Sequence, residues 1–185
     1  MPFPSLYLLV EGPDDQRFFQ SEIIDRTIKQ LYRTVHVITW TNEPRDDLVN
    51  LVSGIIRNEG HYIFLLDKDS AFVCLEAVRQ YALQRCPNIN SSRILIVIRE
   101  IESWYLAGID SSLATRFDLS IPADTSDLAK SRLEQVARTL KFASPADFMV
   151  EILKTFSITN ARGRNASFDR LLNRYLFGAP SPPAP

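Results

Sequence analysis

The sequence predicts an α/β fold: a parallel sheet of about four strands with helices on both faces, followed by a helical C-terminal region. Two observations carry that expectation. Through the first hundred residues, short apolar runs alternate with longer segments whose apolar residues recur at helical spacing. That alternation is the mark of a sheet covered on both faces. Beyond about residue 105 the strand signal stops and only helical periodicity continues. Connections between parallel strands are almost always right-handed.

Leu6–Val10 is wholly apolar, as a doubly covered strand would be, and Glu11-Gly12-Pro13 ends it. A helix should follow, with Pro13 near its first position and Asp14 and Asp15 in its first turn. Phe18, Phe19, Ile23, Ile24, Ile28 and Leu31 form its apolar stripe. Thr34–Trp40 reads as a second strand. Arg45–Glu59 reads as a helix with Leu48, Leu51, Val52, Ile55 and Ile56 on one face. Tyr62–Leu66 is a third strand ending at Asp67-Lys68-Asp69, Ala71–Arg85 a third helix, and Arg93–Ile98 a fourth strand. Glu100 and Glu102 follow that strand, and a helix starts near Ser103. Ser126–Leu140 has helical spacing. Ser144-Pro-Ala-Asp147 reads as a capped helix start with Pro at the first position. Asn165 or Ser167 caps a last helix that Gly178 ends.

The 185 residues suit a single domain, residues 1–178, with an α/β core at 1–108 and a helical extension at 109–178. The Pro-rich residues 179–185 are expected to be a disordered tail. Apolar residues make up 45% and charged residues 23%, close to the globular average. No apolar run approaches the ~20 residues needed to span a bilayer. Met1–Pro4 have no basic stretch that would begin a signal peptide. A cytoplasmic protein with no membrane association is the expectation, and Cys74 and Cys86 are expected as free thiols. His36 and His61 lie far apart at strand-like runs, so a histidine metal site or a Ser-His-Asp triad has little support.

In open parallel sheets, ligands bind beyond the carboxyl ends of the strands. Three strand ends carry acids: Glu11, then Asp67 and Asp69, then Glu100 and Glu102. Two carboxylates about 4 Å apart repel by roughly 4 kcal/mol at an effective dielectric near 20. Such a group either keeps protons or takes a cation. With no useful His or Cys nearby, an all-oxygen set suits Mg²⁺ or Mn²⁺. The chain contains neither a P-loop nor G-x-G-x-x-G. A phosphoacceptor receiver also gathers acids at strand ends, but it expects a Lys after a late strand, where this chain has Arg99-Glu100.

Glu11-Gly12-Pro13-Asp14-Asp15 resembles the E-G-x-x-D motif of Toprim (topoisomerase–primase) domains, and Asp67-Lys68-Asp69 resembles their D-x-D motif. The match covers about residues 5–105. Arg99–Ala107 resembles an R-E-x-E-x-W-x-x-A segment of small stand-alone Toprim-like proteins related to OLD-family (overcoming lysogenization defect) nucleases. The D-x-D-x-x-G continuation is absent: Ser70-Ala71-Phe72 follows Asp69. That departure and the short chain weigh against a primase or topoisomerase. The resemblance implies a Rossmannoid Toprim-like sheet and a Mg²⁺-dependent phosphodiester-cleaving activity, in a phage-defence setting.

On that reading Asp67 and Asp69 hold the metal, with Glu11 as a third ligand or as general base, and Glu100 and Glu102 hold a second metal. Lys154 or Arg164 stabilises charge on the transferred phosphate, or these bases only pair with the acidic edge. Asp15 favours a helix N-terminus, and Trp104 is expected in the core. Two alternatives stand beside the nuclease. One is a non-catalytic binding module or toxin-type subunit acting with a partner ATPase, and the other is a small-molecule phosphohydrolase.

The net charge of −1 hides an asymmetry. Residues 1–69 carry a net −4, residues 70–129 a net −2 and residues 130–185 a net +5. Lys141, Arg162, Arg164 and Arg170 belong to the basic region and are the candidate nucleic-acid contacts. The same asymmetry would hold two halves of one domain together.

Overall fold

In a computed structural model, which describes residues 3–176, the four strands form one all-parallel sheet. The chain runs β1 (Phe3–Val10), α1 (Pro13–Phe19), α2 (Glu22–Lys29), β2 (Tyr32–Thr39), α3 (Arg45–Arg57), β3 (His61–Lys68), α4 (Leu75–Arg85) and β4 (Ile94–Ile98). Six helices follow: α5 (Glu102–Ala107), α6 (Ser111–Arg116), α7 (Lys130–Thr139), α8 (Pro145–Lys154), α9 (Ile158–Arg164) and α10 (Ala166–Arg170). The last of these runs into a wider π-type turn at Leu171–Leu176. Gly178 and residues 179–185 lie outside the described residues.

The strand order is β2-β1-β3-β4. The chain leaves β1 in one direction to form β2, then returns past it to form β3 and β4. The order therefore reverses between β1 and β3, and such a switch point opens a crevice at the carboxyl ends of the two strands. Glu11 follows β1 there, and Asp67 lies at the end of β3.

Alternate residues of each strand feed two separate cores. Leu6, Leu8 and Val10 of β1 meet Phe18, Phe19, Ile24 and Ile28 of the α1–α2 pair and the C-terminal helices. Leu9, Phe64 and Leu66 meet Leu48, Val52 and Ile55 of α3 and Val78 and Ala82 of α4. The first core is the larger, because α5 and the helices after it pack on the same face. Phe18 sits at its centre, with edge-on rings of Trp104, Tyr105, Phe156 and Phe168 at 5.2–6.1 Å.

Three local features depart from the sequence expectation. The single helix expected after β1 is two, because Ser21 takes an extended backbone and its hydroxyl donates to the Phe18 carbonyl at 2.7 Å. Serine competes with helix continuation in this way. The helix expected from Ala71 begins only at Leu75, since Asp69 Oδ1 accepts the Ala71 N–H at 2.8 Å in an Asx turn. Short α6 and α9 have no sequence counterpart, being too brief to show a period. Asp110 caps the first and Ser157 the second. The expected Ser144 and Asn165 caps are present: Ser144 Oγ accepts from the Asp147 N–H, and Asn165 Oδ1 from those of Ser167 and Phe168.

A buried polar network fastens the C-terminal helices to α5. Trp104 Nε1 donates to Ser167 Oγ at 2.8 Å, and Ser167 Oγ donates to Asn165 Oδ1 at 2.7 Å. Asn165 Nδ2 donates to Ser103 Oγ and Thr125 Oγ1, and Thr125 Oγ1 to the Ser103 carbonyl. Trp104 is fully buried, as its place in an apolar pattern predicts. No described helix is long and apolar enough to cross a membrane.

Candidate functional site

The turn after β1 places the first two acids. Glu11 leaves the strand, and Gly12 takes an extended backbone ahead of Pro13 at the first position of α1. Asp15, in the first turn of that helix, reaches back to accept the Gly12 N–H at 3.0 Å. That is the return half of a capping box, and it buries Asp15 to 4% exposure. Asp67 enters from β3, where it sits opposite Val97 of β4. Its Oδ1 is buried and has no hydrogen-bond partner. Asp69 lies just beyond, fixed by its Asx turn.

Glu102 arrives by a reversal of the chain after β4. Arg99 adopts φ 65°, in the left-handed region that costs any residue bearing a Cβ energy. The chain then folds back so that Glu102, 3% exposed, opens α5 beside the other acids. Lys130, the first residue of α7, closes the group. Its Nζ lies 2.9 Å from Glu102 Oε1 and 2.9 Å from Asp14 Oδ2. Asp14 also pairs with Arg17, and its carbonyl accepts the Tyr105 hydroxyl at 2.7 Å.

The electrostatics follow from burial. Burial and the charges of Asp15 and Asp69 push the Glu11 carboxyl up to about 7, against the pull of the Asp67 amide. Burial and the Glu102 and Asp14 charges push Asp15 to about 7, although the Gly12 amide opposes them. Asp67 is raised well above the ordinary carboxylate range by burial and by the Asp15, Glu11 and Glu102 charges, with the Ile101 amide opposing. Burial also raises Glu102, and Lys130 only partly offsets it. Burial pushes Asp14 upward too, but hydrogen bonds from Lys130 and Arg17 outweigh that and leave it below its ordinary value. Lys130 in turn keeps its proton more firmly than a free lysine, since its two carboxylates outweigh its own burial. An acidic edge thus holds its protons near neutral pH and carries one committed counter-charge.

The structure therefore brings together Glu11, Asp15, Asp67, Asp69 and Glu102. The other candidates go elsewhere. Glu100 turns to the start of α7 and accepts the Lys130 backbone N–H. Lys154 pairs with Glu151 at 2.6 Å on the exposed side of α8. The Arg164 guanidinium donates to the carbonyls of Ala107 and Ile109, capping the end of α5. Arg162 pairs with Asp169 and Asn173. Lys141 is exposed in a left-handed turn after α7, and Arg170 faces a pocket beside β4.

Two members of the site went unassigned by sequence reasoning. Asp15 had a signal in the last position of the E-G-x-x-D motif, but a first-turn acid also reads as a helix-dipole residue. Lys130 had no local signal, because its partners are more than a hundred and about thirty residues distant in sequence.

No family model, no curated protein and no solved structure matches the chain. The resemblance of the E-G-x-x-D and D-x-D segments to Toprim motifs accordingly bears on function only together with the chemistry of the site. Among the described residues no three His, Cys, Asp or Glu side chains form a ready-made metal-holding group. The donor set is nonetheless all oxygen, and the buried, unpartnered Asp67 Oδ1 lies within it. An orphaned buried acceptor costs about 1–3 kcal/mol. A hard divalent cation would relieve that cost together with the mutual repulsion of the acids.

Proposed function

We propose that this chain is a Mg²⁺- or Mn²⁺-dependent phosphodiester-cleaving nuclease of the Toprim-like kind. The observation that carries the reading is the convergence of Glu11, Asp15, Asp67 and Glu102 at the switch point of the sheet, with Asp67 Oδ1 buried and unpartnered. Asp67 and Asp69 are the residues to hold the ion, with Glu11 beside them. When bound, the ion would polarise a phosphoryl oxygen and acidify a bound water. Glu11, with its carboxyl near 7, is poised to take the proton of an attacking water close to neutral pH. Asp15 fixes the Gly12 turn from which Glu11 projects. Lys130 holds Glu102 and Asp14 in one position and offsets part of the local negative charge.

The order of the two motifs and the basic C-terminal region support nucleic acid as the substrate. A place in phage defence beside an ATPase follows from the family resemblance alone. The test is cleavage of single-stranded, duplex and supercoiled nucleic acid with Mg²⁺ or Mn²⁺, comparing wild type with Glu11→Gln and Asp67→Asn. A loss of at least 100-fold in each variant is expected, the scale of a lost general base or metal ligand. Equal cleavage by all three proteins would overturn the proposal.

A further inference from the structure

The acids at the switch point fall into two groups. Beside Glu11 and Asp69, Asp67 keeps a buried oxygen, Oδ1, without a partner, and no other buried side-chain nitrogen or oxygen among the described residues is in that condition. Glu102 and Asp14 are already served. Lys130 Nζ lies 2.9 Å from Glu102 Oε1 and 2.9 Å from Asp14 Oδ2. One ammonium thus bridges two carboxylates, one from α5 and one from α1.

A two-ion phosphodiester site needs further carboxylates beside the first set. Glu102 is the residue suited to that part, being 3% exposed and close enough for its charge to bear on Asp67 and Asp15. The local charge is nevertheless balanced without a second ion. Asp14 and Glu102 bring two negative charges, and Arg17 and Lys130 bring two positive ones. A dication entering between these carboxylates would have to displace the ammonium or lie against a like charge.

Lys130 is also fixed at its base. It opens α7, and Glu100 accepts its backbone N–H. The two glutamates after β4 therefore grip one lysine, Glu100 by the backbone and Glu102 by the ammonium. We infer that the Lys130 ammonium occupies the place of a second metal ion and leaves a one-ion site at Asp67, Asp69 and Glu11. This rests on the nuclease reading and sets the number of ions it uses. An ammonium offsets charge but acidifies no water, so Lys130 is a positioning residue: it holds Glu102 and Asp14 and keeps them from drawing a further ion.

The test is a Mn²⁺ titration at pH 8 without substrate, with the free ion read by its electron paramagnetic resonance signal. Wild type should bind one ion per chain. Lys130→Ala should bind two, and Lys130→Arg, which keeps the charge, should bind one. A lysine that only pinned α7 would not raise the number of ions bound when it is removed. Lys130→Ala/Glu102→Gln should return to one ion. This double variant removes an ion pair instead of stranding one partner, which is the milder change, so it serves even if Lys130→Ala does not fold. Its Kd should lie within about 3-fold of wild type, as for residues that are not ligands of the remaining ion. Two ions on wild type, one ion on folded Lys130→Ala, or a larger loss of affinity in the double variant would each overturn the inference and leave the nuclease standing. No ion on wild type would remove the one-ion site and the nuclease reading with it.

Discussion

The acidic edge should invert the usual pH dependence of stability, and neutralising Glu11 and Asp15 should remove most of that inversion. Glu11 and Asp15 hold their protons up to about 7 in the folded chain, against 4.5 and 3.8 ordinarily. Between those limits the native state binds more protons than the unfolded state, so stability falls as pH rises. Between pH 5 and pH 8 about two pH units of each carboxyl's upward displacement take effect. At about 1.36 kcal/mol per unit, that is about 2–3 kcal/mol each. Each charge is part of the cause of the other's shift, so the two do not simply add, and about 4 kcal/mol serves for the pair. For a chain of this size 1 kcal/mol moves Tm by about 2–4 °C, which makes the expected fall about 8–16 °C. His61 works with the opposite sign below its ordinary 6.5, because burial and Arg93 lower it. Comparison with Glu11→Gln/Asp15→Asn cancels that contribution. Thermal melts in EDTA at pH 5, 6, 7 and 8 are the assay. Wild type should lose more stability than the double variant by about this amount, since Asp67 and Glu102, also raised by burial, titrate in both proteins, and the double variant should melt above wild type at pH 8. A wild-type melting temperature that rises from pH 5 to pH 8 in parallel with the double variant would refute the reasoning.

Two further substitutions probe the frame of the site. Lys130→Met strands Glu102 and Asp14 without their ammonium; it should cost about 1–3 kcal/mol at pH 8, and less as pH falls, because burial makes Glu102 take up its proton sooner than a free glutamate, read as two melting curves. Asn165→Ala removes the hub of the buried network under α5 and leaves Ser167 and Thr125 short of partners. A loss of about 2–4 kcal/mol in urea unfolding is expected, and a loss below 1 kcal/mol would show that the network is not holding the C-terminal helices.

The parallel sheet was legible because β1, β3 and β4 each carry an uninterrupted apolar run, Leu6–Val10, Tyr62–Leu66 and Ile94–Ile98, while β2, interrupted by Arg33, Thr34 and His36, showed only in its β-branched residues. Strand ends bearing Glu11, Asp67 and Asp69 were legible for the same reason, since the end of an apolar run is visible in one dimension. The break at Ser21 was not, because it depends on a hydroxyl choosing the Phe18 carbonyl over solvent. Glu100 and Glu102 stand two residues apart and read alike in sequence. The left-handed turn at Arg99 separates them, turning one to the start of α7 and the other into the site. Lys130 lies beyond sequence reasoning altogether, since only the packing of α7 beside α5 sets it against Asp14 and Glu102. The charge asymmetry between the acidic half and the basic C-terminal region was its one global trace. In the fold, the Lys130 ion pairs join those two halves.

The central claim is that the carboxylates at the switch point hold a divalent cation. A crystal soaked in Mn²⁺ at pH 8 tests it most directly, by anomalous scattering. One strong peak bound by Asp67 and Asp69 is expected, with Asp67 Oδ1 no longer orphaned and Glu11 within reach, and no such peak in Asp67→Asn. A saturating soak with no peak at the acidic edge, or the same peak in Asp67→Asn, would contradict it.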